Sequence, residues 1–430
     1  MNPLIQDYFA WCARRAILRE KPHVIAVAGS VGKSSTKEAV GTALGAHEEG
    51  FDVRVASKNY NNELGVPLTI FGRPAPGRSI FRWIPTLVRA LLVGLGRRSI
   101  GARTLVLEYG TDHPGDLKHL LSIATPDVAV LTAIGPEHTE FFGSVDAVAQ
   151  EERAIVRALH EDGVAIMNAD DADVMASKAE TKAKVITFGE APDADARLVS
   201  WRVAVDPQDP DASGLDVEVA MYGSDLRFRL RGSFGKPQAL AAAAAIAVAF
   251  AMDRNMHHVE ARLNGHQGMP GRTRLLEGIK RTMLLDDSYN SSPLAALSAV
   301  RDLAAYPVAD GCRRIAALGD MLELGTLTDQ SHRDLGNAVA KSGIDMLVAC
   351  GTFAHVVADA AKEAGMPEDH VFVFAKSPEA GSFIQERLKE GDVVLIKGSQ
   401  GVRMEKITKE LMAHPERASE LLVRQGREWE

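Results

Sequence analysis

The sequence predicts an α/β protein: a central domain with a mostly parallel sheet and a β insertion, followed by a Rossmann-like C-terminal domain. Three observations predict it. From residue 24 onward, short β-branched apolar runs alternate with longer helical patterns, as in parallel sheets covered by helices on both faces. Residues 185–232 instead alternate polar and apolar positions, the pattern of antiparallel strands wetted on one face. A second series of short apolar runs then follows the Gly- and Pro-containing stretch 264–274, which reads as a linker. At 430 residues the chain exceeds one ordinary core, since domains usually hold roughly 100–200 residues.

Taken in order, residues 1–22 form the first element. Arg14, Arg15, Arg19 and Lys21 are interleaved with apolar residues, and no signal-peptide core with a small-residue cleavage site is present. This is an amphipathic helix. The central domain spans 23–266, and three of its apolar runs are strands: 24–28, 104–107 and 127–132. They end in GSVGKSS, EYGTDHPGD and IGPEHTEFFGS, so the residues after them meet at the carboxyl edge of one sheet, where ligands bind in such folds. Residues 74–103 carry IFRWIPTLVRALLVGLGRR, with Arg82, Arg89, Arg97 and Arg98 among apolar residues and Trp. Such a basic amphipathic helix either lies on a membrane surface or packs on the protein or a partner copy. Runs 197–205 and 215–222 are strands of the β insertion, expected beside the first sheet, and 237–252 is a long Ala-rich helix. In the C-terminal domain, 267–430, the strands are 283–285, 314–318, 346–350, 371–374 and 393–396. A charged tail from about His414 is expected to be exposed.

Composition narrows the function. The chain is 46% hydrophobic and 25% charged, the balance of a soluble globular protein, and no segment has the about 18 uninterrupted apolar residues of a spanning helix. A net charge of −8 without a long basic run argues against nucleic acid as a partner. Cys12, Cys312 and Cys350 are far apart and lack metal-ligand spacing, which fits a reduced cytoplasmic setting with buried cysteines. The expected location is the cytoplasm, with peripheral contact at the inner membrane face through 74–103 as the alternative.

The chemistry begins at VIAVAGSVGKSSTKEAV, a strand, a tight turn and a helix start. Gly29, Ser30, Val31, Gly32, Lys33, Ser34 and Ser35 would cradle phosphates with backbone N–H groups. Lys33 reaches the terminal phosphates and Ser34 can bind Mg²⁺. This makes the central domain a P-loop domain that takes a nucleoside triphosphate. The loop departs from the full pattern in that Val27 occupies its first Gly position, and a chance surface turn is the alternative. A Mg²⁺ on one serine needs further hard ligands. Glu108 after TLVL and His138 after the next strand are the candidates, against a solvated strand-end carboxylate and an ordinary loop histidine.

GSVGKSS, NYNNELGVPLTI (59–70), LEYGTDHPGDL, PDVAVLTAIGPEHTEFFGS, PGR at 270–272, DDSYNSSP at 286–293, LGDMLELG at 318–325 and VLIKGSQGVRME at 394–405 together resemble the Mur ligases, over about residues 23–410. The resemblance implies an ATP-dependent, Mg²⁺-requiring ligase. ATP phosphorylates the terminal carboxylate of a peptide-bearing cell-wall precursor, and the amine of an amino acid or dipeptide such as D-alanyl-D-alanine displaces the phosphate. It implies that Ser34 and Glu108 hold one Mg²⁺ and His138 the second, and that Lys33 and Arg272 stabilise the moving phosphoryl group. Asp287 and Asn290 would contact the adenosine. Asn61, Asn62, Asp320, Glu323, Lys397 and Ser399 would serve the substrates.

Four features depart from the family, the first being that residues 74–103 form an insertion. Only about 23 residues precede the P-loop strand, so the N-terminal domain that grips the uridine diphosphate end of the acceptor is expected to be lacking. The His-Asn pair expected before the Ala-rich helix is Phe234-Gly235. Where much of the family has a carbamylated lysine, an ungapped alignment of GPEHTEFFGSVDAVAQEERAI places Glu152. We expect Glu152 to supply that carboxylate itself, without CO₂, to the second Mg²⁺, directly or through a water; the alternative is a solvated pair with Glu151. Another acceptor (polyglutamate, folate or lipid-carried) and a non-catalytic nucleotide-binding scaffold are the competing functions, and the oligomeric state is left open.

Overall fold

The structure is a computed structural model that describes residues 3–46, 48–50, 52–57, 60–77, 80–206, 212–426 and 429. Asn59 of the NYNNELGVPLTI motif, Arg78 and Ser79 of the 74–103 insertion and residues 207–211 of the β insertion lie outside them.

The first sheet is built from β1 (His23–Ala28), β2 (Val53–Val55), β3 (Thr104–Glu108), β4 (Val128–Leu131), β5 (Val164–Asn168), β6 (Lys184–Gly189), β7 (Ala196–Ala204), β8 (Gly214–Met221) and β9 (Ser224–Arg231). Their spatial order is β2-β3-β1-β4-β5-β6-β7-β8-β9. Pairing is parallel from β2 to β7 and antiparallel across β7, β8 and β9. The expected insertion is therefore not a layer beside the sheet but its continuation, joined where Phe188 and Gly189 pair with Ala196 and Arg197. Its alternating pattern continues in β8, where Leu215, Val217, Val219 and Met221 are buried and the residues between them are half-buried.

Side chains alternate across β1. Ile25 and Val27 join one core with the Ala-rich helix Lys236–Ala251 and the helix Lys33–Ala43. Val24, Ala26 and Ala28 join the opposite core with Phe9, Cys12, Ala13, Ala90 and Val93. The run of alanines lets Lys236–Ala251 approach closely, since a small side chain leaves the helix axis near its neighbour.

The second sheet holds β10 (Arg274–Gly278), β11 (Thr282–Asp287), β12 (Arg314–Gly319), β13 (Met346–Cys350), β14 (Val371–Phe374) and β15 (Val393–Lys397), in the order β10-β11-β15-β12-β13-β14. All pairs are parallel except β10 with β11. The tail differs from expectation. Leu421 and Leu422 are buried in the core of this unit, and Arg424 pairs with Glu405 at 3.1 Å. A tail rich in charge is held down by its few apolar residues and by one buried ion pair. Cys12 and Cys350 are buried, Cys312 is half-buried, and all three are free thiols.

Candidate active site

Neighbouring strands β3, β1 and β4 bring the three predicted loops together. Gly29 (φ 123°) and Gly32 (φ 91°) shape the P-loop, and a Cβ on Gly29 would lie 2.3 Å from Thr132 Oγ1. The loop is clamped from behind: Gly29 N–H donates to Glu152 Oε2 at 2.7 Å, and Ser30 N–H donates to the Ala133 carbonyl at 2.7 Å. Lys33 folds back onto the loop, donating to the Gly29 carbonyl, to the Ser30 carbonyl at 3.2 Å and to Glu137 Oε2 at 3.3 Å. Burial disfavours its charge, yet Glu137, Glu152 and Glu108 outweigh burial and hold its pKa above the ordinary lysine value.

Ser34 Oγ donates to Glu108 Oε1 at 3.0 Å, and Asn61 Nδ2 donates to the same oxygen at 3.2 Å. Glu108 Oε2 is buried without a hydrogen bond, 3.5 Å from the fully buried Lys37 ammonium. A hydroxyl beside a carboxylate with lone pairs to spare fits Mg²⁺, which needs only one or two protein oxygens and takes the rest from phosphate and water. Among the described residues no group of three His, Cys, Asp or Glu side chains converges as a metal cage.

His138 lies across the gap between the two sheets. Its Nδ1 is 2.6 Å from Glu323 Oε2 and its Nε2 is 3.4 Å from Asp112 Oδ1. Both His138 (φ 53°) and Glu323 (φ 63°) adopt the left-handed backbone region, which non-glycine residues occupy uncommonly. Thr139 Oγ1 also donates to the Leu324 carbonyl at 2.9 Å, so this loop bridges the units. Arg272 stacks on the Tyr289 ring with its guanidinium carbon 4.1 Å from the centroid.

Lys33, Glu108, Asn61, His138, Arg272, Asn290, Glu323 and Ser399 line one cleft of about 860 Å³, together with Thr111, Glu137, Arg403 and Trp429. A second cavity of about 540 Å³ opens from the P-loop at Val31 and Gly32 and is lined by Phe188, Pro237, Leu240, Leu294 and Asp302. Both volumes suit small-molecule sites. Other predicted residues stand back from the larger cleft. Asn62 Oδ1 accepts from Gly65 N–H at 2.9 Å and shapes the start of the helix Gly65–Phe71. Asp320 accepts from Thr352 and Phe353 N–H at 2.7 and 2.9 Å, holding the turn before the helix Ala354–Glu363. Lys397 is buried, 2.6 Å from Asp287 Oδ2, and also donates to the Asn290 carbonyl, so this pair supports the Asn290 loop. Asp287 still borders the narrow space of about 70 Å³ that Ser35 and Arg272 share. Ser35 Oγ accepts from Gln238, and Phe234 is wholly buried.

Sequence reasoning missed Glu137, Thr111, Tyr289, Arg403 and Trp429. Glu137 and Tyr289 sat inside quoted motifs, one residue from His138 and Asn290; nothing in the sequence marked Trp429. Glu152 is 1% exposed, with Oε1 accepting from Thr111 Oγ1 at 2.8 Å, and Glu151 separately accepts from Gly115 and Leu117 N–H. The two glutamates are therefore not a solvated pair.

Asp302 is an uncommon buried acid. Oδ1 accepts from Lys236 N–H at 3.1 Å, whereas Oδ2 is buried without a partner. Burial pushes its pKa from 3.8 up to about 7. The native state therefore holds a proton that the unfolded chain has released, so this group's share of stability is intact below about pH 4 and drains away up to about pH 7. Asp302→Asn removes that loss. The variant's stability advantage over wild type should grow by on the order of 2–4 kcal/mol between pH 4 and pH 8. Urea unfolding of both proteins across that range tests it; a constant difference would place the proton elsewhere.

A phosphate-binding loop facing a second α/β unit across a polar cleft defines an enzyme that acts on a nucleotide between two domains. Residues 94–249 match the Mur ligase middle domain, and residues 271–400 match the glutamate ligase domain of the Mur ligases. The chain belongs to the Mur ligase family. It is 27% identical over 396 residues to the UDP-N-acetylmuramoyl-tripeptide–D-alanyl-D-alanine ligase of Bacillus subtilis, covering 91% of this chain and 76% of that protein. The crystal structure of MurF from Acinetobacter baumannii superposes with a TM-score of 0.73 at 25% identity, covering 93% of this chain and 79% of that one. The MurF ligase of Thermotoga maritima, solved in complex with ADP, superposes with a TM-score of 0.75 at 24% identity, covering 94% and 83%.

Proposed function

We propose that this ligase uses ATP to join the terminal carboxylate of a muramoyl-peptide precursor to the amine of D-alanyl-D-alanine or a similar amine. The observation that carries the reading is the one cleft shared by Lys33, Glu108 with Ser34 hydrogen-bonded behind it, Arg272 and the His138–Glu323 bridge. A carboxylate is a poor electrophile, and transfer of the γ-phosphoryl group to it turns oxygen into a leaving group. The attacking amine then forms the C–N bond as the C–O bond to phosphate breaks, releasing ADP and phosphate.

The chain's own residues handle charge and position. The P-loop N–H groups and Lys33 hold the phosphates, Lys33 leaving Glu137 and the loop carbonyls to do so. Arg272, pinned on Tyr289, faces the same space and balances charge on the phosphoryl group in flight. Mg²⁺, held by Ser34 and Glu108, would neutralise phosphate oxygens. His138 with Glu323 keeps the two units closed over the cleft, which excludes water from the acyl phosphate, and in our reading His138 also faces a second Mg²⁺. Asn290, supported by the Lys397–Asp287 pair, and Asp287 itself serve the nucleotide side, with Ser399 and Asn61 toward the substrates.

Phosphate release in Mg-ATP tests the reading. It should require both UDP-N-acetylmuramoyl-tripeptide and D-alanyl-D-alanine, with the joined pentapeptide found by mass spectrometry. Turnover with a folate or polyglutamate acceptor but none with muramoyl-tripeptide would overturn the acceptor. No acceptor-dependent release with any of them would overturn the ligase.

A further inference from the structure

Two helices cover the outer side of the first sheet, Pro3–Glu20 and Ile80–Gly94, and they pack against each other. Their inner faces share one core through Phe9, Cys12, Ala13, Ala90 and Val93. Their outer faces are apolar as well. On the second helix and just beyond it, Phe81, Ile84, Val88, Leu91 and Leu95 are exposed at spacings of three and four, an unbroken stripe, and Phe81 is 83% exposed. On the first, Leu4, Trp11 and Leu18 are exposed at a spacing of seven, Leu4 at 74% and Leu18 at 68%. Single exposed apolar residues are ordinary, but two exposed apolar stripes on helices that pack against each other are of the kind that marks an interaction surface.

Charge says what covers it. Residues 64–107 contain seven arginines and no acidic residue, in a chain whose net charge is −8. Arg82, Arg97 and Arg98 are exposed around the stripe, as are Arg14 and Arg15 on the neighbouring helix, where Arg15 lies over the Trp11 ring. The acidic residues on the first helix are Asp7, which is exposed, and Glu20, which is engaged by Arg19, Ser99 Oγ and Ile100 N–H. A two-fold contact between copies would set this patch against itself, arginine against arginine with almost nothing to neutralise them. An anionic surface meets both requirements, taking the apolar stripe below the headgroups and pairing the arginines with phosphates.

We propose that this face docks the enzyme on a bilayer containing anionic phospholipid. The stripe on the first helix includes the exposed indole of Trp11, a group suited to the headgroup boundary. No described helix is long and apolar enough to cross a membrane, so the contact is peripheral. Docking is independent of the ligase chemistry, because none of the stripe or arginine positions named lines the cleft.

Co-sedimentation of the full chain with vesicles tests this. Phosphatidylcholine vesicles containing phosphatidylglycerol should bind the protein at least about tenfold more tightly than pure phosphatidylcholine, and added salt should weaken that binding. Phe81→Asp/Val88→Asp changes only exposed positions and should lower binding at least about tenfold, as should Arg82→Glu/Arg97→Glu/Arg98→Glu, with the circular dichroism spectrum and ATP turnover in solution unchanged. Absence of binding to the anionic vesicles, or binding that survives both sets of substitutions, would overturn docking. So would concentration-dependent dimerisation that Phe81→Asp/Val88→Asp abolishes in a protein that ignores vesicles, since the face would then belong to a second copy.

Discussion

Lys33→Ala is expected to lower acceptor-dependent phosphate release by at least about 10²–10³-fold, the size of effect seen when one preorganised charge-stabilising donor is removed from a transition state. Lys33 is the cation of the loop, and its ammonium already rests on two loop carbonyls and Glu137 at the point where anions bind. The variant should fold, because the loop is shaped by Gly29, Gly32 and the hydrogen bonds behind them, not by this side chain. Its stability should, however, become more sensitive to rising pH. Burial raises the Glu152 pKa and Lys33 is the foremost group holding it down, so removing the cation leaves Glu152 further above its unfolded value. A carboxyl so raised loses stability as pH climbs through its native pKa. The melting temperature of Lys33→Ala should thus fall more steeply than that of wild type as pH rises above the ordinary carboxylate range. Phosphate release near the wild-type rate would remove Lys33, and with it the P-loop, from the reaction.

Much of this site could be read from the sequence because parallel α/β sheets send ligand-facing residues to one edge. Gly29 to Ser35, Glu108 and His138 each follow an apolar run, and three such runs that become neighbouring strands must bring their ends together. Residues with mainly local partners were harder. Asp320 and Asn62 carry the same side-chain chemistry as a ligand-binding residue, yet their oxygens are spent on nearby backbone N–H groups. Lys397 is assigned to the substrates by the family resemblance alone; here Asp287 lies 2.6 Å away and draws it inward. The strand β10 starts at Arg274, where the stretch read as a linker ends, and went unmarked, and β2 has only three residues, too few to show a period. In the tail, the charges of residues 414–430 masked Leu421 and Leu422, whose burial depends on a core formed by distant segments.

Glu152 is where sequence and structure point to different chemistry, and its two substitutions should behave very differently. Both carboxylate oxygens are occupied, Oε2 by Gly29 N–H and Oε1 by Thr111 Oγ1, and the side chain does not line the cleft. Glu152→Ala leaves the Gly29 N–H buried without an acceptor and opens a void behind the loop. We expect it to cost about 2–4 kcal/mol of stability and to raise the KM for ATP about tenfold or more, because the phosphate cradle loses its rear support. Glu152→Gln should be mild. Its carbonyl can accept from Gly29 and its amide can donate to Thr111, so shape and hydrogen bonds persist while the charge disappears, and stability should stay within about 1 kcal/mol. The charge is what a metal would need. If the carboxylate acts as a loop clamp, Mg²⁺ titrations at fixed ATP will give Glu152→Gln the wild-type requirement, within about twofold, since Mg²⁺ then draws its oxygens from Ser34, Glu108, phosphate and water. A requirement raised several-fold, with the fold and the ATP KM unchanged, would instead make Glu152 a ligand of the second ion, directly or through a water.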